Sequence, residues 1–293
     1  MLKFSKYESQ KIGFTLIFTL FGLTLPSSFL WVIAVINVLT IGVIHGANDL
    51  YIVSIVKKYS IKSQFYYLFF IYVFFVFIMV LALLHVPQLA LLLFVLVSSF
   101  HFGEQQWHKN TFVNVPRLHL FYTAYGMFLF SLLFYTHEEQ TLIIVKEISG
   151  LQINPNTILY LSVASFLATI FLTLFNLGQL KSQLLFQFFA LIALILLFTQ
   201  TSLLWSFSVY FVLWHSIPSL KEQANVLYPN DLKPVRKYIK LALPYWVLSL
   251  IGFAILLYFF NDNTASLLAL FFGFLAAITI PHVGIIFWMH QKN

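Results

Sequence analysis

The chain consists of long apolar runs separated by short polar segments. We count ten runs, near residues 13–25, 29–55, 64–84, 88–107, 118–136, 156–175, 183–199, 202–218, 241–260 and 264–289. Several approach the roughly 20 residues that a helix needs to cross a bilayer. In lipid only helices and closed barrels satisfy the backbone, and these runs are too long and too continuously apolar for barrel strands. We therefore predict an all-α transmembrane bundle of about ten spans (8–10), forming a single integral-membrane domain over residues 1–293 with both termini cytoplasmic.

Composition and charge agree with a membrane protein. With 61% apolar and 9% charged residues, the chain has too few polar side chains to cover a water-soluble surface. A net charge of +7 suggests nucleic acid, but the basic residues form short clusters between apolar runs, so we expect no nucleic-acid partner. With a cytoplasmic N-terminus, ten spans place all 16 Lys and Arg except Lys146 on the cytoplasmic side, Lys58 and Lys109 among them. We expect a multi-pass protein of the cell (inner) membrane, surrounded by lipid.

Four histidines lie well inside the apolar runs, and two of them have a carboxylate close by in the sequence. Asp49 follows His45 by four residues, and Glu104 follows His101 by three, spacings that place each pair on one face of a helix. With His215 and His282, the four lie 6 to 12 residues before the next cytoplasmic cation, about 9 to 18 Å along a helix. An ionisable group within a membrane span indicates a functional site. Four separate helices are thus expected to present imidazoles at similar depth.

Neutral imidazoles at one point are typical of a metal site. Histidine is a ligand for iron, zinc, copper and nickel, whereas the absence of cysteine excludes thiolate ligands and a cysteine nucleophile. Asp49 and Glu104 are candidate catalytic residues that accept the second ring N–H of a ligating histidine, and direct ligation is the competing role. The alternative for each histidine alone is a packing or inter-helix hydrogen-bonding role.

Small and aromatic residues accompany the histidines. Gly42, Gly46 and Gly103 favour close approach of helices or of a ligand, and ordinary small-residue packing is the alternative. Three tryptophans lie on the same runs toward the cytoplasmic side and are expected to be interfacial anchors; they are Trp107, Trp214 and Trp288.

The motifs together resemble a known family. They are His-Gly-x-x-Asp at His45, His-Phe-Gly-Glu at His101, Trp-His-Ser at Trp214 and Pro-His at Pro281. This set, in this order, is similar to the Brp/Blh family of integral-membrane β-carotene 15,15'-dioxygenases. The resemblance implies cleavage of the central double bond of β-carotene by O2, dependent on Fe(2+), with two retinal molecules as product and a functional link to a microbial rhodopsin. It also implies iron ligands at His45, His101 and His215.

The fourth iron ligand is the point at which this sequence departs from the resemblance. Family members can have a further histidine one helical turn after the Trp-His pair, and this chain has Ser219 there. His282 is our candidate instead because it meets the depth criterion independently. A three-histidine site completed by water or Glu104 is the alternative.

Other functions match the sequence less well. The chain lacks a Gly-x-Ser-x-Gly elbow, a phosphate-binding Gly-x-x-x-x-Gly-Lys and a His-Glu-x-x-His motif. A transporter or proton-coupled carrier with an intramembrane His, Asp and Glu relay is the main alternative, and it predicts polar residues along a path across the membrane. A structural metal-binding or assembly protein is a third possibility.

Overall fold

The computed structural model describes residues 5–57, 61–107, 116–260 and 267–292, and within these ranges all regular structure is helical. The predicted all-α class is therefore confirmed. The predicted cytoplasmic cations Lys58 and Lys109 lie outside the described residues.

The described residues of the first half of the chain form seven α-helices and one π-helical segment. Ser5 and Glu8 form a reciprocal capping box at the first helix, and proline begins the fifth and sixth, where its missing N–H costs nothing. The elements are α1 (Lys6–Thr24), α2 (Ser27–Asn37), the first π-helical segment (Val38–Gly42), α3 (Asp49–Lys57), α4 (Ile61–His85), α5 (Pro87–Trp107), α6 (Pro116–Thr136) and α7 (Glu138–Ser149).

The described residues of the second half form seven further α-helices and a second π-helical segment. Proline again begins two of its helices, the eighth and the thirteenth in the chain. The elements are α8 (Pro155–Phe175), α9 (Leu177–Leu180), α10 (Leu184–Gln200), α11 (Leu203–Val209), the second π-helical segment (Tyr210–Ser216), α12 (Ile217–Leu227), α13 (Pro234–Phe260) and α14 (Leu267–Lys292).

Seven helices in the described part of the chain are long and apolar enough to cross a membrane. They span Tyr66–His85, Pro87–Trp107, Leu118–Thr136, Pro155–Phe175, Leu203–Leu227, Pro234–Phe260 and Leu267–Phe287. Two shorter apolar helices are Ser27–Gly42 and Leu184–Gln200. In the described part of the chain each of the ten apolar runs is mostly helical, but the count of ten spans and the side of the termini stay predictions.

The α5–α6 pair packs so closely that glycine is required on both helices. A Cβ at Gly103 would lie 1.9 Å from the carbonyl oxygen of Tyr122, and a Cβ at Gly126 would lie 1.8 Å from that of Ser99. Small residues permit this backbone contact between membrane helices. The close crossing holds α5, and with it His101, against the centre of the bundle.

Two of the three predicted tryptophan anchors, Trp107 and Trp214, occupy the interior. Trp107 and Trp214 are 4% and 1% exposed, so the prediction that they are interfacial anchors is wrong. The Trp214 indole N–H donates to the Thr15 hydroxyl at 2.9 Å, and the Trp107 ring packs against Phe121 and Tyr125. Their aromatic area stabilises the core because neighbouring helices enclose it. The side chain of Trp288 lies outside the described residues.

Gly103→Ala is expected to destabilise the protein by about 1 to 3 kcal/mol or more, because the added methyl group meets a backbone carbonyl that cannot rotate away. The measurement is the fraction of detergent-solubilised protein that remains monodisperse after heating. Gly252→Ala is the matched control, since a Cβ there has no atom of the described chain within 4 Å. Equal heat resistance of the two variants would contradict the proposed crossing.

Candidate metal centre

Four buried imidazoles meet in the interior of the bundle. His45, His101, His215 and His282 are 5%, 1%, 2% and 5% exposed. One ring nitrogen from each of His45, His215 and His282 lies within 4.8 Å of the others. The His101 ring centroid is 4.6 Å from that of His215 and 5.3 Å from that of His282. The structure thus brings together all four histidines that the sequence singled out.

His45 lies at a break in the helix rather than within a continuous one. The first π-helical segment ends at Gly42, residues 45–48 form a turn, and α3 begins at Asp49. The expectation that His45 and Asp49 share one face of a regular helix is therefore wrong. The turn is anchored by α13, because the Asn48 amide donates to the Tyr238 carbonyl at 2.9 Å and the Tyr238 hydroxyl contacts the His45 carbonyl.

His215 belongs to the second π-helical segment, which packs against the first. A π-helical turn inserts an extra residue and rotates the following side chains relative to an α-helix, which is why such turns are frequent at functional sites. The Ser216 hydroxyl donates to the Phe211 carbonyl at 3.0 Å and satisfies one of the displaced backbone groups. Irregular backbone is thus placed on both sides of the His45–His215 contact.

Asp49 contacts a histidine from another helix. Its two carboxylate oxygens lie 2.9 Å and 3.1 Å from Nδ1 of His282, and the Tyr72 hydroxyl donates to Oδ2 at 3.0 Å. The expected carboxylate–imidazole pair exists, but the imidazole is that of His282 on α14 and not that of His45. Asp49 reaches His282 because α3 packs against α14. A Cβ at Gly46 would lie 3.1 Å from Nδ1 of His282, so glycine there permits the ring to sit close.

Glu104 and Ser219 are both buried, at 5% and 1% exposure. Glu104 lies on α5 one turn after His101, and it is not part of the three-residue group of metal-capable atoms among the described residues. Its role beside the histidines stays a prediction. Ser219 accepts a hydrogen bond from the Gln223 amide at 2.9 Å, and Gln223 Oε1 is 2.8 Å from the Tyr238 hydroxyl. Ser219, the position at which the sequence departs from the resemblance, is thus hydrogen-bonded through Gln223 to Tyr238, which contacts the turn at His45.

The histidine nitrogens fit a metal ion. Nε2 of His45 and Nε2 of His215 are 3.2 Å apart. Two nitrogens each about 2.0 to 2.1 Å from one ion, at tetrahedral or right angles, are roughly 2.8 to 3.4 Å apart. Nε2 of His282 is buried and has no hydrogen-bond partner within the described part of the chain. Unsatisfied buried nitrogens of this kind are costly, and an ion relieves that cost.

The second nitrogens of two rings have acceptors that determine their protonation. Nδ1 of His45 faces the Gly42 carbonyl and Nδ1 of His282 faces the Asp49 carboxylate, so each Nδ1 holds the proton. Both Nε2 atoms are then lone-pair donors toward the cluster, as a metal requires. An imidazole set without thiolates suits iron, zinc, copper or nickel.

These features define a helical integral-membrane protein with a buried histidine cluster that can hold a metal ion. The family model described as "Beta-carotene 15,15'-dioxygenase" matches residues 36–290, which include all six predicted site residues. The chain belongs to this family, and the resemblance found in the motifs is confirmed. No curated protein and no solved structure matches the chain.

Sequence reasoning missed the residues that hold the histidines in place. Tyr72 and Tyr238 lie in aromatic-rich runs where one tyrosine is not distinguishable from its neighbours. Asn48 did have a usable signal, because a Gly-Ala-Asn sequence inside an apolar run is typical of a turn. That signal predicts the break after His45.

Asp49→Asn is expected to lower metal affinity about 10- to 100-fold, because the amide cannot hold the Nδ1 proton of His282 as a carboxylate does. Tyr72→Phe removes one hydrogen bond to the same carboxylate and is expected to have a smaller effect. The measurement is metal bound per purified protein across a series of chelator concentrations. Glu139→Gln is the control, because Glu139 is exposed on α7. If Glu139→Gln lost as much metal as Asp49→Asn, the specific role of Asp49 would be refuted.

Proposed function

We propose that this chain is an iron-dependent oxygenase that cleaves the central double bond of β-carotene with O2 and releases two molecules of retinal. Membership of the β-carotene 15,15'-dioxygenase family supports the substrate and the reaction. The observation on which the proposal depends is the cluster of four buried imidazoles, three of them with nitrogens within 4.8 Å of one another. Such a cluster inside a membrane protein is suited to a lipid-soluble substrate.

The ligands in this proposal are His45, His101, His215 and His282, with Fe(2+) as the ion. Iron held there supplies the binding and activation of dioxygen. His282 was the least certain ligand from the sequence, and its place in the close group supports it over water or Glu104. His101 completes the set from the side of α5 through its ring contacts with His215 and His282.

The protein's own residues orient the imidazoles and exclude water. The proposed reaction breaks one C=C and one O=O bond and forms two C=O bonds, so both oxygen atoms enter the products and no proton is transferred. A general acid or base is not required, and the role left for Asp49 is to hold the Nδ1 proton of His282. Phe102 and Phe211 cover the cluster with apolar surface, which keeps water from the reacting bond.

The membrane supplies the substrate in this proposal. β-Carotene dissolves in the hydrocarbon layer and reaches the interior through gaps between helices, without any charged recognition group. The protein then acts in the cell membrane, and its retinal is available there to a microbial rhodopsin. The transporter alternative receives little support from the described residues, because the four histidines and Asp49 of the supposed relay lie in one buried cluster and the space beside it is apolar.

Expression of the chain in a β-carotene-producing bacterium is expected to bleach the orange cells and to yield retinal, measured by chromatography of a solvent extract. His45→Ala, His101→Ala, His215→Ala and His282→Ala should each abolish retinal formation and lower bound iron, because each removes a proposed ligand. His137→Ala is the control and should retain activity, since its ring bonds the Leu133 and Thr201 carbonyls away from the cluster.

The metal and the reaction are tested separately in the same host. Persistent carotene with well-folded, iron-loaded protein would refute the oxygenase proposal. Full activity and full iron content in His282→Ala would instead refute only the fourth ligand.

A further inference from the structure

An apolar cavity lies beside the histidine cluster. Its volume is about 100 Å³, and its walls come from α5, α6, α7, α11 with the second π-helical segment, and α14. No charged residue of the described chain lines it. Engineered apolar cavities of about 150 Å³ stay dry and bind benzene, so a space of this size and lining favours a hydrocarbon over water.

One aromatic layer separates the cavity from the histidines. Phe102 stacks on His215 with ring centroids 4.0 Å apart and planes 10° apart, and Phe102 also lines the cavity. Phe211 has the same double role, with its ring 5.7 Å from His45 and 5.6 Å from His215. A molecule in the cavity therefore lies one ring thickness from the candidate metal centre.

The opposite wall of the cavity is the amphipathic helix α7. Thr141, Ile144, Val145 and Ile148 line it at the i, i+3, i+4, i+7 spacing of one helical face. The hydroxyls of Thr141 and Thr279 are bonded to the Phe134 and Leu275 carbonyls, so they offer no free donor to a polar ligand. This end of the cavity is thus suited to an apolar end group.

We propose that this cavity binds one arm of the carotenoid, with the chain entering past Phe102 and Phe211 and its end group resting against Ile144 and Ile148 of α7. The inference rests on the proposed function for the identity of the ligand. Phe102 then positions the polyene against the histidines, and α7 sets the size of the end group that fits. The rings of Phe102 and Phe211 must rotate for the polyene to reach the histidines from this cavity, since both rings lie between the two.

The test uses adjacent residues on α7 that face opposite ways. Ile144 is 8% exposed and lines the cavity, whereas Ile143 is 49% exposed and faces outward. Each is changed to tryptophan in a His45→Ala background, which retains the cavity but not the proposed cleavage. The proteins are purified from a β-carotene-producing host, and bound β-carotene per protein is measured after solvent extraction. We expect Ile144→Trp to lower retention at least fivefold and Ile143→Trp to change it less than twofold.

A second pair of variants covers the case in which the tryptophan at Ile144 prevents folding. Ile144→Phe and Ile148→Phe add less volume and should each lower retention by a smaller factor, with protein yield and size-exclusion profile unchanged. Equal retention in the Ile144 and Ile143 variants, or no carotene bound to the His45→Ala protein, would overturn the proposal.

The same substitutions in the histidine-intact protein distinguish this inference from the proposed function. We expect Ile144→Trp to raise the KM for β-carotene while iron per protein stays the same. If retention depends on Ile144 but no variant produces retinal, the cavity assignment stands and the oxygenase proposal fails. If retinal forms equally in both tryptophan variants, the oxygenase proposal stands and the cavity assignment fails.

Discussion

The centre of this bundle depends on hydrogen-bond acceptors for the ring N–H groups of His45 and His282. A neutral histidine in an apolar core presents one donor and one acceptor, and an unsatisfied one destabilises the fold by about 1 to 3 kcal/mol. His45 uses the Gly42 carbonyl and His282 uses the Asp49 carboxylate, while Tyr72 supports that carboxylate from α4. The nitrogens left over are directed at the cluster. An ion at this point would satisfy one ring nitrogen each of His45, His215 and His282, in addition to the hydrogen bonds that already link these helices.

The backbone departs from regular helix where the cluster requires it. Two π-helical segments and the turn at residues 45–48 lie directly beside His45 and His215. Irregular backbone is tolerated at membrane depth only when protein surrounds it and satisfies its polar groups. Tyr238 and Asn48 do this for the turn. Gly103 of α5 and Gly126 of α6 also help to form the cluster, because the close backbone contact that they permit brings His101 to the centre.

The polar cluster and the apolar cavity are neighbours, with only the rings of Phe102 and Phe211 between them. Their rings touch the histidines on one side and line the cavity on the other. This division suits the proposed chemistry, in which an ion activates dioxygen and a hydrocarbon must be held without water. The departure at Ser219 fits the same arrangement, since its hydroxyl joins Gln223 and Tyr238 in supporting the His45 turn.

The sequence by itself determined the all-α membrane class, the four histidines of the cluster and the family. Apolar run length and the high cost of polar groups in lipid are local properties, so they can be read from residue types and spacing. Only the tertiary structure decided that Asp49 bonds His282, that Trp107 and Trp214 are buried, and that Tyr72 and Tyr238 hold the site. These outcomes depend on which helices pack together. Contacts between residues such as Asp49 and His282, far apart in the chain, leave no trace in local periodicity.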